Sequence, residues 1–385
     1  MKYALVHEWL TPFAKGGSEL VVQEILKHVE ADLYATIDFE SIDPNSYLYG
    51  RQIGTTFLQK FPFVRQGPQK YLPLLPLAIE NLDLRKYDII LSSSHTVAKG
   101  ILTSSEQLHI CYCHSPMRYA WDLTFDYLDN LSQIKKLLAQ YFLHQLRQWD
   151  AISANRVDYY IANSKHIARR IWHCYRRKAT VIYPPVNLDR FSVEEQKEDY
   201  YLTVSRLVTY KKISLIVRAF NQLGKPLVII GDGPELAKIR QLAKSNIKVL
   251  GTQPNYVVER YMKKAKAFVY AACEDFGIAI VEAQACGTPA IAYKGGGATE
   301  TVKDIRADPA KGTGLLFFPQ KPAALVEAVN TFCQLEDRFL PENCRLQAEK
   351  FAPEVFKRSY LNFIDKCYRQ WTGSREINED NSDFN

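Results

Sequence analysis

Two successive series of short apolar runs, most of them followed by a helical pattern, constrain the fold of this chain more than any other feature. In the first series, runs rich in Val, Ile, Leu, Ala and Tyr fall at 3–7, 32–37, 88–92, 109–113, 159–162 and 180–183. Helical patterns lie between several of them, at 18–29, 133–152 and 165–174, with Ser18 expected to cap the first and Glu19 to open it. Pro184-Pro185 and the polar run from Glu194 to Asp199 interrupt the alternation. A second series follows, with strands expected at 200–204, 226–230, 247–250, 267–271 and 289–292, and helices at 212–222, 235–243, 256–264 and 278–286. Continuous apolar strands alternating with helices predict parallel sheets covered on both faces. The expected architecture is α/β, with a first doubly wound domain at 1–184 and a second at 185–352. Helical patterns close the sequence at 323–335, 342–351 and 353–371. The last of these is expected to form a helix over 353–372 that crosses back to the first domain, ahead of a flexible polar tail at 373–385.

At 385 residues the chain exceeds one comfortable core, in keeping with two domains. No apolar run approaches the roughly 20 residues needed to span a bilayer. The opening Met-Lys-Tyr-Ala-Leu-Val-His reads as a strand leading to Glu8 rather than as a secretory leader. Eight cysteines are scattered without a CxxC pair or zinc spacing, which predicts reduced thiols in a cytoplasmic protein and no metal site. A formal charge of +7 permits attraction to phosphates or anionic lipids. The basic run Arg169-Arg170 with Arg176-Arg177-Lys178 follows a helical pattern without interleaved aromatics. It reads as a solvated face, and no nucleic-acid partner is expected.

The loops at strand ends carry the chemistry, because ligands of doubly wound sheets bind there. Glu274-Asp-Phe-Gly-Ile-Ala-Ile-Val-Glu282 follows a strand, and its glycine opens an apolar helix. A helix start suits phosphate, while carboxylates beside it suit hydroxyls, so together they point to a sugar nucleotide. Gly16-Gly17 precedes the first long helix, where it either approaches a diphosphate or makes a simple turn. His114 lies at a strand end before Pro116, as a sugar-facing group or a structural histidine. Arg206 and Lys211 offer a forked donor and a point charge to a diphosphate. Gly231-Asp-Gly-Pro, Gly251-Thr252 and the Gly295-Gly-Gly turn are suggestive only as part of the set. Phe61-Pro-Phe-Val-Arg65 and Tyr71–Ile79, beside Lys60, Arg65 and Lys70, read first as core with proline turns and second as a membrane-facing surface.

Taken in order, these segments resemble the retaining GT-B glycosyltransferases of family 4 from the first strand to about residue 350. The motifs are Glu274 to Glu282 with the continuation Ala283-Gln-Ala-Cys-Gly-Thr-Pro-Ala-Ile-Ala, Ser205-Arg-Leu with Lys211, Val181–Phe191 and Tyr160–Ser164. His-Ser-Pro-Met-Arg-Tyr-Ala-Trp-Asp at 114–122 is most similar to bacterial O-antigen mannosyltransferases. The resemblance implies a GT-B fold, two Rossmann-like domains facing a cleft. It implies that Glu274 holds the donor sugar, Glu282 the ribose, and Phe276, Gly277 and Ile278 the sugar and diphosphate through backbone groups. It further implies that Arg206 and Lys211 stabilise the leaving phosphate, with Gly17 opposite, and that His114 faces the sugar. Lys212 departs from the glycine common in the wider family.

The implied reaction is metal-independent hexosyl transfer with retention, from GDP-mannose to a glycan or lipid-linked acceptor in cell-surface polysaccharide synthesis. Nothing calls for a further cofactor. The expected location is cytoplasmic, with peripheral contact at the inner face of the membrane. Competing readings are a UDP-sugar transferase, an epimerase, a phosphorylase, and a catalytically silent nucleotide-sugar scaffold. A two-carboxylate glycosidase using Glu274 and Glu282 would leave the cations and glycine turns without a task.

Overall fold

The computed structural model describes residues 1–12, 16–129 and 131–382. The chain divides into two units, one of Met1–Pro184 with Phe356 onward, the other of Pro185–Val355.

The first unit is built on a parallel sheet of seven strands. They are β1 (Tyr3–His7), β2 (Ala31–Ala35), β3 (Ile53–Gly54), β4 (Ile89–Ser94), β5 (Leu108–Cys113), β6 (Tyr159–Ala162) and β7 (Ala179–Val181), in the order β3-β2-β1-β4-β5-β6-β7. Successive side chains point to opposite faces, and both faces are covered. Leu5, Leu33, Leu91, Ile110 and Ile161 pack with Val22 and Ile25 of the helix Gly17–His28. Phe356, Tyr360, Ile364 and Cys367 of the helix Pro353–Ser382 complete that core. Ala4, Val6 and Ile90 face the other side, with Leu58, Val64, Leu75, Ala78 and Ile79. The proline-broken stretch 61–79 gives Val64, Leu75, Ala78 and Ile79 to that core, while Phe63 and Leu77 are exposed.

The second unit has six parallel strands: β8 (Glu198–Val204), β9 (Leu227–Ile230), β10 (Ile247–Gly251), β11 (Ala265–Tyr270), β12 (Ala290–Tyr293) and β13 (Gly314–Phe317), in the order β10-β9-β8-β11-β12-β13. Its largest core joins Tyr201, Ile229, Val269 and Ile291 to Ile216 and Phe220 of the helix Ile213–Leu223 and to Leu325, Val329 and Phe332 of the helix Pro322–Gln334.

Three readings need correction. The first helix is capped at Gly16, whose N–H donates to the Glu19 carboxylate at 2.7 Å, so Ser18 lies inside it. β3 and β13 escape the apolar pattern because one spans two residues and the other begins with glycine. The last helix does not stop at Trp371 but continues to Ser382, taking in most of the segment expected to be a flexible tail. A single glycine at 373 costs a helix only about 1 kcal/mol, and no proline follows it. Residues 383–385 of that tail lie outside the described residues.

Candidate functional site

Each sheet reverses its winding between two adjacent strands, β1 and β4 in the first unit and β8 and β11 in the second. The loops leaving such neighbours diverge to opposite faces and open a crevice at the strand ends. Arg206 and Lys211 lie in the loop after β8, Glu274 in the loop after β11, and the Gly16-Gly17 turn follows β1.

In the second unit, Lys211 follows β8 and Glu274 follows β11. The Lys211 ammonium lies 2.7 Å from Glu274 Oε1 and donates to the Tyr270 hydroxyl at 2.9 Å. Burial alone would lower the affinity of Lys211 for its proton. The Glu274 carboxylate, aided by Tyr270, outweighs burial and shifts the pKa above the ordinary lysine value. The site therefore holds a fixed positive charge. Tyr270, the last residue of β11, is shifted upward by burial and by Glu274, so it remains a neutral hydroxyl at physiological pH. Arg206 is exposed on the same loop as Lys211.

Gly277 caps the apolar helix Ile278–Ala285 in a left-handed conformation, with φ of +92°. The Phe276 ring is buried edge-on against Phe351, with centroids 5.1 Å apart, which leaves the backbone of this turn as its outward-facing chemistry. Glu282 lies in the second turn of the helix. Burial raises its carboxyl pKa, Arg190 opposes that and Glu259 reinforces it. Arg190 is itself paired with Glu259 at 2.5 Å.

Two glycine turns buttress these loops. A Cβ on Gly231 would lie 1.9 Å from the Ser205 carbonyl oxygen, so the Gly231-Asp-Gly turn packs directly under the Arg206 loop. A Cβ on Gly296 would lie 2.1 Å from the Glu274 carbonyl oxygen, and the Gly297 N–H donates to that oxygen at 2.7 Å. Both turns thus hold the site loops through close backbone approach. Gly251 ends β10 and its carbonyl accepts from the Gly231 N–H at 2.9 Å, while Thr252 is exposed beside it.

Lys212 adopts the left-handed region, with φ of +56° and ψ of +31°, immediately before the helix Ile213–Leu223. That conformation costs a residue with a Cβ about 1–2 kcal/mol and glycine almost nothing. Substituting Lys212→Gly is expected to leave stability within about 1 kcal/mol of the parent, because relieved strain offsets the extra freedom of the unfolded chain. Lys212→Val, β-branched at the same φ, is expected to lower the urea midpoint clearly.

In the first unit, His114 follows β5 and is buried, its Nε2 lying 2.8 Å from Ser93 Oγ. Burial first, then the charges of His95 and His7, depress its proton affinity, so it is neutral at physiological pH. Ser93 Oγ lies 3.2 Å from His7 Nδ1, and His7 Nε2 lies 3.5 Å from Glu19 Oε1. That last separation is longer than a hydrogen bond. Glu19 Oε2 in turn receives the Gly16 N–H and the Ser18 hydroxyl. A polar chain thus ties His114 to the Gly16-Gly17 turn. Burial would raise the Glu19 carboxyl, but His7 and then His95 overturn that and hold it down to about 2.

Sequence reasoning missed this relay and its neighbour Glu8. The Glu8 carboxylate accepts from Ser94 Oγ and from the backbone N–H groups of His95, Thr96, Val97 and Ala98, at 2.6–3.1 Å. The available signal was a polar Glu closing a strand. Arg170 is not part of a solvated face, since it pairs with Asp122 and donates to Ser115 Oγ at 2.6 Å. Trp121 Nε1 donates to buried Asp150 at 2.7 Å, so both ends of the 114–122 loop are fixed.

Residues 187–351 match the family described as glycosyl transferases group 1, and residues 15–190 match Glycosyltransferase Family 4. The O-antigen chain mannosyltransferase C of Escherichia coli is 24% identical over 55% of this chain and 60% of its own length. The GDP-mannose-dependent alpha-(1-6)-phosphatidylinositol monomannoside mannosyltransferase of Mycolicibacterium smegmatis is 31% identical over 31% of this chain and 40% of its own. The chain thus spans roughly half the length of the curated relatives it matches. The crystal structure of Anabaena HepE in complex with UDP covers 95% of this chain and all of its own, at 17% identity and a TM-score of 0.68.

Proposed function

We propose that this chain, a GT-B glycosyltransferase whose two halves belong to the family 4 and group 1 glycosyltransferase families, moves mannose from GDP-mannose to a glycan or lipid-linked acceptor, with retention. The observation that carries the reading is the Lys211–Glu274 pair at the β8/β11 reversal, beside a helix opened by Gly277. A fixed cation and a helix start suit a diphosphate, and a carboxylate beside them suits sugar hydroxyls.

In this reading Lys211 and Arg206 neutralise the leaving diphosphate, and the backbone of Phe276, Gly277 and Ile278 contacts it. Glu274 accepts from the sugar hydroxyls, Glu282 holds the ribose, and Gly251 and Thr252 edge the base. The bond from the anomeric carbon to the diphosphate oxygen breaks and one to the acceptor oxygen forms. The acceptor proton passes to the departing phosphate oxygen on the same face. In the same reading His114 serves the sugar and the Gly16-Gly17 turn the diphosphate, as the resemblance implies. No further cofactor has a part in this scheme. The mannosyltransferase relatives favour mannose, and the lipid substrate in one relative's name favours a lipid-linked acceptor at the inner face of the membrane. A second reading, a UDP-sugar donor, is favoured by the UDP complex of the structural neighbour.

Thermal shift with GDP, GDP-mannose, UDP and UDP-sugars, followed by NMR of any transfer product, tests the proposal. A ligand at 100 times its dissociation constant adds about 2.7 kcal/mol to stability. Selective response to the guanine pair, with an α-linked mannoside as product, is expected. A response confined to UDP-sugars would replace the donor, an inverted product would remove retention, and binding without turnover would favour the silent scaffold.

A further inference from the structure

Tyr270 closes β11 with a hydroxyl where packing alone asks for none. Its side chain is 4% exposed and stacks on Phe268, with ring centroids 6.0 Å apart, so a phenylalanine would fill the same space. A buried hydroxyl costs stability unless it is hydrogen-bonded. The partner it finds is the Lys211 ammonium, which donates to it at 2.9 Å. That ammonium also lies 5.6 Å from the ring centroids of both Tyr210 and Tyr270, near enough to be drawn to their faces.

Glu274 holds the same ammonium in a different way. Its Oε1 is buried and 2.7 Å from Lys211 Nζ, yet among the described residues no donor meets that oxygen in hydrogen-bonding geometry. The contact is one of charge, and the oxygen keeps an unfilled place for a donor. A sugar hydroxyl arriving there would supply the missing hydrogen bond. It would also loosen the hold of Glu274 on Lys211, whose flexible four-carbon stem does not fix the charge by itself.

We propose that Tyr270 is a positioning residue for transfer, its hydroxyl keeping the Lys211 ammonium on the diphosphate while Glu274 turns to the sugar. An ammonium has three N–H donors, so one stays with Tyr270 while the others reach phosphate oxygens. A phenylalanine at 270 would keep the packing and the ring attraction and lose the anchor. The proposal rests on the reading of Lys211 and Glu274 given above, and the test separates the two.

Isothermal titration of the full chain with inorganic pyrophosphate, which carries a diphosphate without base or sugar, is that test. The wild type is expected to bind, and Lys211→Ala to weaken binding by about tenfold or more, as loss of a charged hydrogen-bond partner should. Tyr270→Phe should weaken it about three- to tenfold, the cost of one neutral partner, with circular dichroism unchanged. The same change should cost less than about twofold in a Lys211→Ala background, where there is no ammonium left to hold. In a Glu274→Ala background it should cost its full amount, because Tyr270 is then the remaining anchor. Wild-type affinity in Tyr270→Phe would overturn the proposal and leave Lys211 its role. So would an equal cost with and without Lys211, which would make Tyr270 a direct contact or a structural prop. Undiminished binding by Lys211→Ala would instead remove the diphosphate reading, and no binding by the wild type would remove both.

Discussion

Lys211→Ala is expected to lower kcat/KM for transfer by about two to three orders of magnitude, the usual cost of removing one preorganised group that stabilises developing charge. Most of the loss should fall on kcat, because negative charge grows on the leaving oxygen as the glycosidic bond breaks. Lys211→Arg restores the charge but not the 2.7 Å contact with Glu274 and should recover only part of the rate. Glu274→Ala should be comparably impaired. The double variant should be little worse than either single one, since each change disables the same pair. Initial-rate kinetics on all four variants, with urea midpoints to separate folding from chemistry, would check this. Wild-type rates in Lys211→Ala would remove the assignment.

The largest stability effect is expected at Glu8. Alanine there leaves the donors of Ser94 Oγ and four successive backbone N–H groups without their carboxylate. Hydrogen bonds to a charged group contribute about 1.5–3 kcal/mol each, so a loss of more than about 4 kcal/mol is expected, enough to unfold a marginal domain. Glu8→Gln keeps one acceptor oxygen and should lose about half as much. Burial opposes ionisation of Glu8, but His95, the backbone donors and His7 outweigh it and set its folded value below the ordinary 4.5. The stabilisation is therefore complete above about pH 4.5, the unfolded value, and is lost as pH falls through the lower folded value. Glu19 follows the same sign, with its loss spread between 4.5 and about 2. Urea titrations from pH 7 down to pH 3 should show a steeper decline in the wild type than in Glu8→Gln.

The sheets were legible because strands buried on both faces spell themselves as unbroken apolar runs, as Ile89–Leu91 and Leu227–Ile230 do. What alternation does not encode is lateral order. β8 lies beside β11 rather than only β9, and that adjacency is what brings Lys211 to Glu274. The His114–Ser93–His7–Glu19 chain was illegible for the same reason, since β1 and β4 meet only in space. Gly231 and Gly296 were suggestive only as part of a set, and their missing side chains admit the backbone of a neighbouring loop. A glycine run reads alike whether the close partner is a phosphate or a carbonyl. Arg170 was misread because a helical charge pattern does not say which turn meets Asp122.

The first unit is closed by the last helix, although the second unit lies between them in the chain. Topologically the second unit is a guest inserted into a host, and this inverts the usual order of events on the ribosome. All of Pro185–Val355 has been synthesised before Phe356, Tyr360, Ile364 and Cys367 can reach the core they finish. The N-terminal half, made first, must wait with an apolar sheet face only partly covered, and nascent chains with such surface are prone to aggregate. Truncation just after Val355 would therefore spare the unit whose sequence it ends and damage the other.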